Sequence, residues 1–334
     1  MREIPQHKIH KKLPTLADAT NPQRMREIFG SILQSKTRSP LSVNDVLVET
    51  VRQRKRRCVL RYQLRVEQDG RERTLGLYGK VYRFARGEPV GRLMEALTRN
   101  GFHRDSADRI STPDVTAYLP DLSLLIQDEV GGRMVTEHLK TARAEWAIRR
   151  MAAAVAKLHN TPLNLGEPYT LADYLSRCHP PHQELCERVP ELRPSVEHIV
   201  REAGKRIESF KGVQPTLVHG DLHLAQVLVD EDRTWMIDFD ACCVADPAAD
   251  LGNVLVFIRN KHRVVDNPEM LADAFLDEYL KTRPHDVLAR IPAFEAITYL
   301  RRACKRVRLE EKGWLRKAQR SLNAGVRRLD ASGA

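Results

Sequence analysis

Two aspartates and one glutamine stand in an order that could do chemistry on a phosphate. The apolar run Leu217-Val218 ends in the polar turn His219-Gly220-Asp221. Gln226 precedes a second apolar run, Val227 to Val229, and a third, Trp235-Met236-Ile237, ends on Asp238. This order predicts a strand, a tight polar loop and a hairpin, which would deliver Asp221 and Asp238 to the same edge of a small sheet. Moving a phosphoryl group from a nucleotide needs one carboxylate to orient the attacking hydroxyl and accept its proton. It also needs an amide or carboxylate on the metal a few residues later, and a second carboxylate on the metal that bridges the phosphates. Asp221, Gln226 and Asp238 fit those slots in order.

The stretch resembles the catalytic core of the aminoglycoside phosphotransferase and choline kinase group, whose signature is His-Gly-Asp, four residues, Asn, and an apolar strand ending in Ile-Asp. The resemblance implies an α+β protein with a two-lobed protein-kinase-like fold, a small antiparallel β N-lobe and a larger, mostly helical C-lobe. It implies ATP and Mg2+ as cofactors, Asp221 as the catalytic base, Gln226 at the metal-binding Asn and Asp238 as the main Mg2+ ligand. Gln226 is one methylene longer than the expected Asn; it still offers a carbonyl oxygen to a hard cation, with a different reach. His219 and His223 have the spacing of two ligands on one helical turn, yet Gly220-Asp221 between them argues for a turn. His219 is therefore read as bracing the loop through backbone contacts and His223 as a loop residue near the site. Asp246 is placed to cap a helix starting near Pro247. Asp250 could instead brace the loop, and both readings stay open.

The 334 residues suffice for two lobes with real cores, and 42% hydrophobic with 30% charged residues is the composition of a soluble globular protein. No apolar run approaches the roughly 20 residues of a membrane span. The polar start, Met1 to His7, lacks the apolar core of a secretory signal, so the cytoplasm is the expected compartment. The six cysteines are scattered without paired Cys-x-x-Cys spacings and read as reduced, mostly core thiols. A net charge of +11 admits nucleic acid, an anionic surface or a phosphate-bearing substrate as partner.

The elements that must position these residues follow from periodicity. Residues 1 to about 13 form a basic, unpatterned arm, and Asn21-Pro22 starts an amphipathic helix carrying Met25, Ile28, Phe29, Ile32 and Leu33, so 1–40 reads as an N-terminal extension. Strands are expected over Val46 to Val51, Cys58 to Val66 and Leu75 to Phe84, the last two joined by Gln68-Asp69-Gly70-Arg71. Between the first two lies Arg52-Gln53-Arg54-Lys55-Arg56-Arg57. In the fold implied by the resemblance this loop covers the nucleotide phosphates, usually through glycine; here Arg54 and Arg56 are expected to do so by side chain. Lys80, mid-strand, points either to water or to a phosphate. It resembles the strand lysine that kinases pair with a helix glutamate, for which Glu95 is preferred over Glu88, placed before the helix Val90 to Leu97 begins. The strand Leu122 to Ile126 runs into Gln127-Asp128-Glu129, which looks like an inter-lobe hinge whose main chain at Gln127 and Glu129 pairs with the adenine edge. The nucleotide-binding N-lobe is thus expected over 41–130 and the catalytic and substrate-binding C-lobe over 131–334.

In the C-lobe, a long helix closes at Leu158-His159-Asn160, with His159 read as a structural hydrogen-bonding residue. Three helices end the chain, and the middle one carries Arg301, Lys305, Arg308 and Lys312 as a stripe read chiefly as a solvated face and otherwise as one that meets an anionic partner or substrate. Residues 251–334 hold 17 Lys and Arg against 10 Asp and Glu. That balance points to a sugar, a neutral alcohol or an anionic metabolite as the small-molecule hydroxyl acceptor rather than a cationic aminoglycoside. Nucleic acid is not the expected partner, and the oligomeric state is left open. Two rivals are a non-catalytic nucleotide-binding relative, suggested by Gln226 and the missing glycine-rich loop, and a polyanion-binding protein, suggested by the basic clusters.

Overall fold

The computed structural model describes residues 13–210 and 212–331. The expected basic arm lies outside the described residues except for Leu13, which is buried. The chain divides into two units, residues 1–132 with 235–237, and residues 133–234 with 238–334.

Strand periodicity builds the first unit. Along β2 (Arg57–Gln68), Cys58, Leu60, Tyr62, Leu64 and Val66 are buried while the residues between them are not, the period of two of a strand with one core face. β2 pairs with β1 (Leu41–Arg54) on one side and β3 (Arg71–Tyr82) on the other. β4 (Val115–Leu119) and β5 (Leu124–Asp128) complete an antiparallel sheet of order β1-β2-β3-β5-β4. The β2–β3 turn places Asp69 and Gly70 at φ 53° and 71°, the left-handed pair a two-residue hairpin prefers. The helix Pro22–Ser35 begins as its sequence predicts, with the Asn21 side chain accepting the Arg24 N–H at 3.1 Å. Its buried Phe29 meets Tyr62 edge-on at 5.0 Å between ring centres, and the Tyr62 hydroxyl donates to the Ala19 carbonyl at 2.7 Å. This segment is part of the first unit's core.

Two expectations change here. The helix expected from Val90 spans Gly87–Leu97, so Glu88 sits in its first turn, ion-paired to Arg92, rather than ahead of it. Pro89 does not prevent this, because first-turn N–H groups have no intrahelical partner to lose. The basic run 52–57 is not an open loop either: β1 continues through Arg54 and β2 starts at Arg57, leaving Lys55 and Arg56 as an exposed two-residue turn.

The second unit is mostly helical. Its central helix, Ala248–Arg259, is buried around most of its circumference, including the polar Asp250 and Asn253. Ala144–Asn160, Arg193–Ser209, Pro268–Tyr279, Ile291–Leu309 and Trp314–Ala331 are its other long helices. Short strands complete it: Thr216–Val218 pairs with Cys243–Ala245, and Val227–Val229 with Arg133–Met134. The expected single small sheet is therefore corrected. The strand entering the His-Gly-Asp loop takes its partner from beyond Asp238, not from the hairpin that follows the loop. The six cysteines are free thiols, all but Cys242 buried. Among the described residues no helix is long and apolar enough to cross a membrane.

Candidate active site

Val218 ends its strand opposite Cys243, and the chain turns at once through His219-Gly220-Asp221. Gly220 has φ 78°, and a Cβ there would collide with the Ala241 carbonyl, so the turn admits only glycine. Arg177 fixes the same point from the other side, donating to the Gly220 carbonyl at 2.6 Å and the Ala241 carbonyl at 3.4 Å.

A buried carboxylate holds the loop. Asp250 accepts the His219 N–H at 2.6 Å and the Gly220 N–H at 2.9 Å, one on each oxygen. Three residues on, and so on the same helical face, Asn253 donates to the Leu222 carbonyl at 2.5 Å. Asp250 also lies 3.3 Å from His159 Nε2, while His159 Nδ1 is 2.8 Å from the Tyr279 hydroxyl. A neutral ring carrying its proton on Nε2 satisfies both, donating to Asp250 and accepting from Tyr279. Burial pushes the His159 pKa down, against the pull of Asp250, which keeps the ring neutral. Burial alone would raise the Asp250 carboxyl, yet the hydrogen bonds from His159 and the His219 amide hold it below the usual range. Both readings of this region prove true together: Asp246 accepts the Ala248 N–H at 2.9 Å as a cap, and Asp250 braces the loop.

The loop's outer side is where the candidate chemistry sits. The Asp221 side chain is 50% exposed. Gln226 is buried, and its Nε2 lies 3.3 Å from Asp238 Oδ2. Asp238 adopts left-handed backbone at φ 69°, a conformation that aspartate tolerates and that clusters at functional sites. His223 Nδ1 accepts the Ala225 N–H at 3.2 Å. Its pKa is lowered by burial while Asp221 and Asp238 both pull it upward, so the two carboxylates lie within electrostatic reach of one ring.

The donor set fits Mg2+. Turning the Gln226 amide over sets Oε1 beside Asp238 Oδ2, giving two neighbouring hard oxygens, the ligand type Mg2+ takes. Among the described residues no group of three or more His, Cys, Asp or Glu could hold a metal ion. Two side-chain oxygens agree with an ion that keeps waters and takes its remaining ligands from substrate phosphates.

The other predicted residues fall in the first unit. Lys80 is 8% exposed and pairs across the sheet with Leu125, whose side chain reaches Gly91 of the helix Gly87–Leu97. The water-facing reading of this lysine is thereby set aside. Glu95 lies on the exposed side of that helix, and Arg54 and Arg56 are exposed at the hairpin tip. Gln127 pairs with Tyr78 in the β3–β5 ladder; the Glu129 N–H donates to the Gly76 carbonyl at 3.0 Å, and its carboxylate takes a two-pronged contact from Arg61 at 2.9 and 3.2 Å.

Sequence reasoning missed Arg177 and Asn253. Of the two readings of the basic stripe, the solvated face fails at Arg301, whose side chain is 23% exposed and lies 3.7 Å from Asp221 Oδ1. Lys312 falls beyond the end of that helix at Leu309. Asn253 left a legible signal, a second polar residue three positions after Asp250 in an otherwise apolar run. Arg177 left none.

An antiparallel sheet unit, a helical unit and a His-Gly-Asp loop backed by a buried aspartate define a protein-kinase-like fold. The model of the phosphotransferase enzyme family matches residues 54–292, and the chain belongs to that family. Among solved structures it is similar to aminoglycoside phosphotransferase APH(4)-Ia, with TM-score 0.62 and 17% identity over 92% of this chain and 98% of that one. It is also similar to spectinomycin phosphotransferase APH(9)-Ia, solved with ADP and spectinomycin, with TM-score 0.57 and 11% identity over 94% and 98%. A choline/ethanolamine kinase family protein from Mesorhizobium loti gives TM-score 0.56 and 14% identity over 86% and 87%.

Proposed function

We propose that the chain transfers the terminal phosphoryl group of ATP, with Mg2+, to a hydroxyl of a small molecule. Asp221 orients that hydroxyl and takes its proton; Gln226 and Asp238 hold the metal. Lys80 holds the nucleotide's first phosphates without Glu95, which faces solvent, Arg54 and Arg56 cover the phosphate tail, and the main chain at Gln127 and Glu129 meets the adenine edge through groups other than the Glu129 N–H, which the Gly76 carbonyl already takes. What a bound Mg2+ supplies is neutralisation of the charge on the transferring group. The chain's own part is positioning: a carboxylate held at one place by a pinned loop, and an oxygen pair from Gln226 and Asp238, five and seventeen residues further along the chain.

The observation that carries this reading is the side-by-side placement of Gln226 and Asp238, with His223 sensing both Asp238 and Asp221. The ADP in the spectinomycin phosphotransferase, and the ADP and hygromycin B in a ternary complex of APH(4)-Ia, support a nucleotide and a hydroxyl-bearing acceptor here. The test is ADP release from ATP and Mg2+ over a panel of hydroxyl compounds, run beside Asp221→Ala and Asp238→Ala. Acceptor-dependent release by the parent, lost in both variants, is expected; release that survives Asp221→Ala with its kcat intact refutes the assignment.

A further inference from the structure

Arg301 has five N–H donors and uses none of them in a hydrogen bond among the described residues. Its only ion pair there is with Asp221 Oδ1 at 3.7 Å, longer than a hydrogen bond. The side chain is mostly buried, and burial pushes the guanidinium's pKa down, so the charge sits in a place that water solvates poorly. The next residue, Arg302, is similar. Its Nε is buried with no hydrogen-bond partner among the described residues, and its guanidinium lies 5.3 Å from the centre of the Phe257 ring, which also touches His223. Arg177, whose charge is felt at Arg301, is already committed to loop carbonyls. Two poorly solvated guanidinium groups, Arg301 and Arg302, thus stand on the side of the site where Asp221 and Asp238 act on His223, and the Arg301 fork beside Asp221 is open.

We infer that the acceptor carries an oxyanion, a carboxylate or a phosphate, close to the hydroxyl that Asp221 receives, and that Arg301 reads it with its fork while Arg302 adds charge. A planar fork fits either oxyanion in a two-pronged contact, and the two guanidinium charges repel a cationic acceptor. This rests on the phosphotransfer reading for the hydroxyl, though not for the anion.

Two readouts on the full chain keep the two apart. Glucose, gluconate, glucose 6-phosphate and glucosamine are compared as matched neutral, carboxylate, phosphate and cationic acceptors, by ADP release and by calorimetric binding in the presence of ADP. Gluconate or glucose 6-phosphate should exceed glucose at least tenfold in kcat/KM and in affinity, and which of them leads tells carboxylate from phosphate. Arg301→Gln should cut the anion-over-neutral ratio at least tenfold, chiefly through KM, and Arg301→Lys should restore part of it. A preference for glucosamine, failure of both anions to bind, or an Arg301→Gln loss equal for all four acceptors overturns the inference; equal loss would make Arg301 a mere partner of Asp221. Anion binding that depends on Arg301 without ADP release would sink the phosphotransfer reading and leave the anion site standing.

Discussion

Replacing Asp250 with alanine removes the side chain that takes the His219 and Gly220 N–H groups and so ties the His-Gly-Asp turn to the central helix. The carboxylate is buried and accepts N–H groups at 2.6 and 2.9 Å, with the His159 ring at 3.3 Å. Each stranded buried N–H costs about 1–3 kcal/mol. The two N–H groups together put the cost of Asp250→Ala at about 2–6 kcal/mol. Asp250→Asn should cost about half as much, since one oxygen still accepts while its new NH2 must face a donor. Urea unfolding at unchanged m-value reads the stability loss. Amide exchange should show His219 and Gly220 losing protection in both variants, with no substrate needed for the measurement. If transfer is assayed, misplacing Asp221 by about 1 Å costs on the order of 100-fold in kcat, with little change in KM for ATP. A loss below about 1 kcal/mol for Asp250→Ala, or unchanged protection at His219 and Gly220, would show that Arg177 and Asn253 hold the loop without it.

Acidification should weaken the protein through His159. Its folded pKa lies below its usual 6.5, so under that value the unfolded chain takes up a proton that the folded one refuses. Stability then falls as pH drops from 7 to 5, by up to about 1.4 kcal/mol per pH unit from this group. His159→Gln should flatten that limb in urea titrations. Asp250, whose folded pKa is depressed, gives stability above its unfolded pKa that is lost only as pH falls through the lower folded value, well below the His159 window. Gln226→Asn should keep transfer within about tenfold, since it retains an oxygen ligand, whereas Gln226→Ala should raise the Mg2+ concentration needed for half-maximal rate. Asp221→Asn should lower kcat by about 100- to 10,000-fold with nucleotide affinity unchanged, as loss of a general base does. Gly76→Ala would drive a Cβ into the Glu129 carboxylate and break its pairing with Arg61, raising KM for ATP severalfold. Because that pair is partly exposed, the stability cost should stay near or below about 1 kcal/mol, read by urea unfolding.

What could be read from the chain differs with the range of the interaction. Alternating burial along β2, the Asn21 cap and the Asp69-Gly70 turn were legible because each is decided within a few residues. The His-Gly-Asp turn and the approach of Gln226 to Asp238 were legible because both are set within a short stretch of chain. The pairing of Thr216–Val218 with Cys243–Ala245 was not, since nothing local distinguishes that partner from the nearer hairpin strand. Arg301 shows the limit of periodicity. A 3.6-residue repeat puts 301, 305 and 308 on one stripe, but which end of the stripe meets another element depends on packing that the repeat does not encode.

The same limit explains where this site's rigidity comes from. Asp221 lies on a loop with no regular structure of its own, yet the side chains that hold that loop or orient its holder come from three helices. Asp250 and Asn253 come from Ala248–Arg259, His159 from the end of Ala144–Asn160, and Arg177 from the end of Leu171–Ser176. The position of the carboxylate is thus set by how three helices pack. Surface substitutions on those helices should leave it in place, whereas a core change that shifts one helix against another moves Asp221 without touching it.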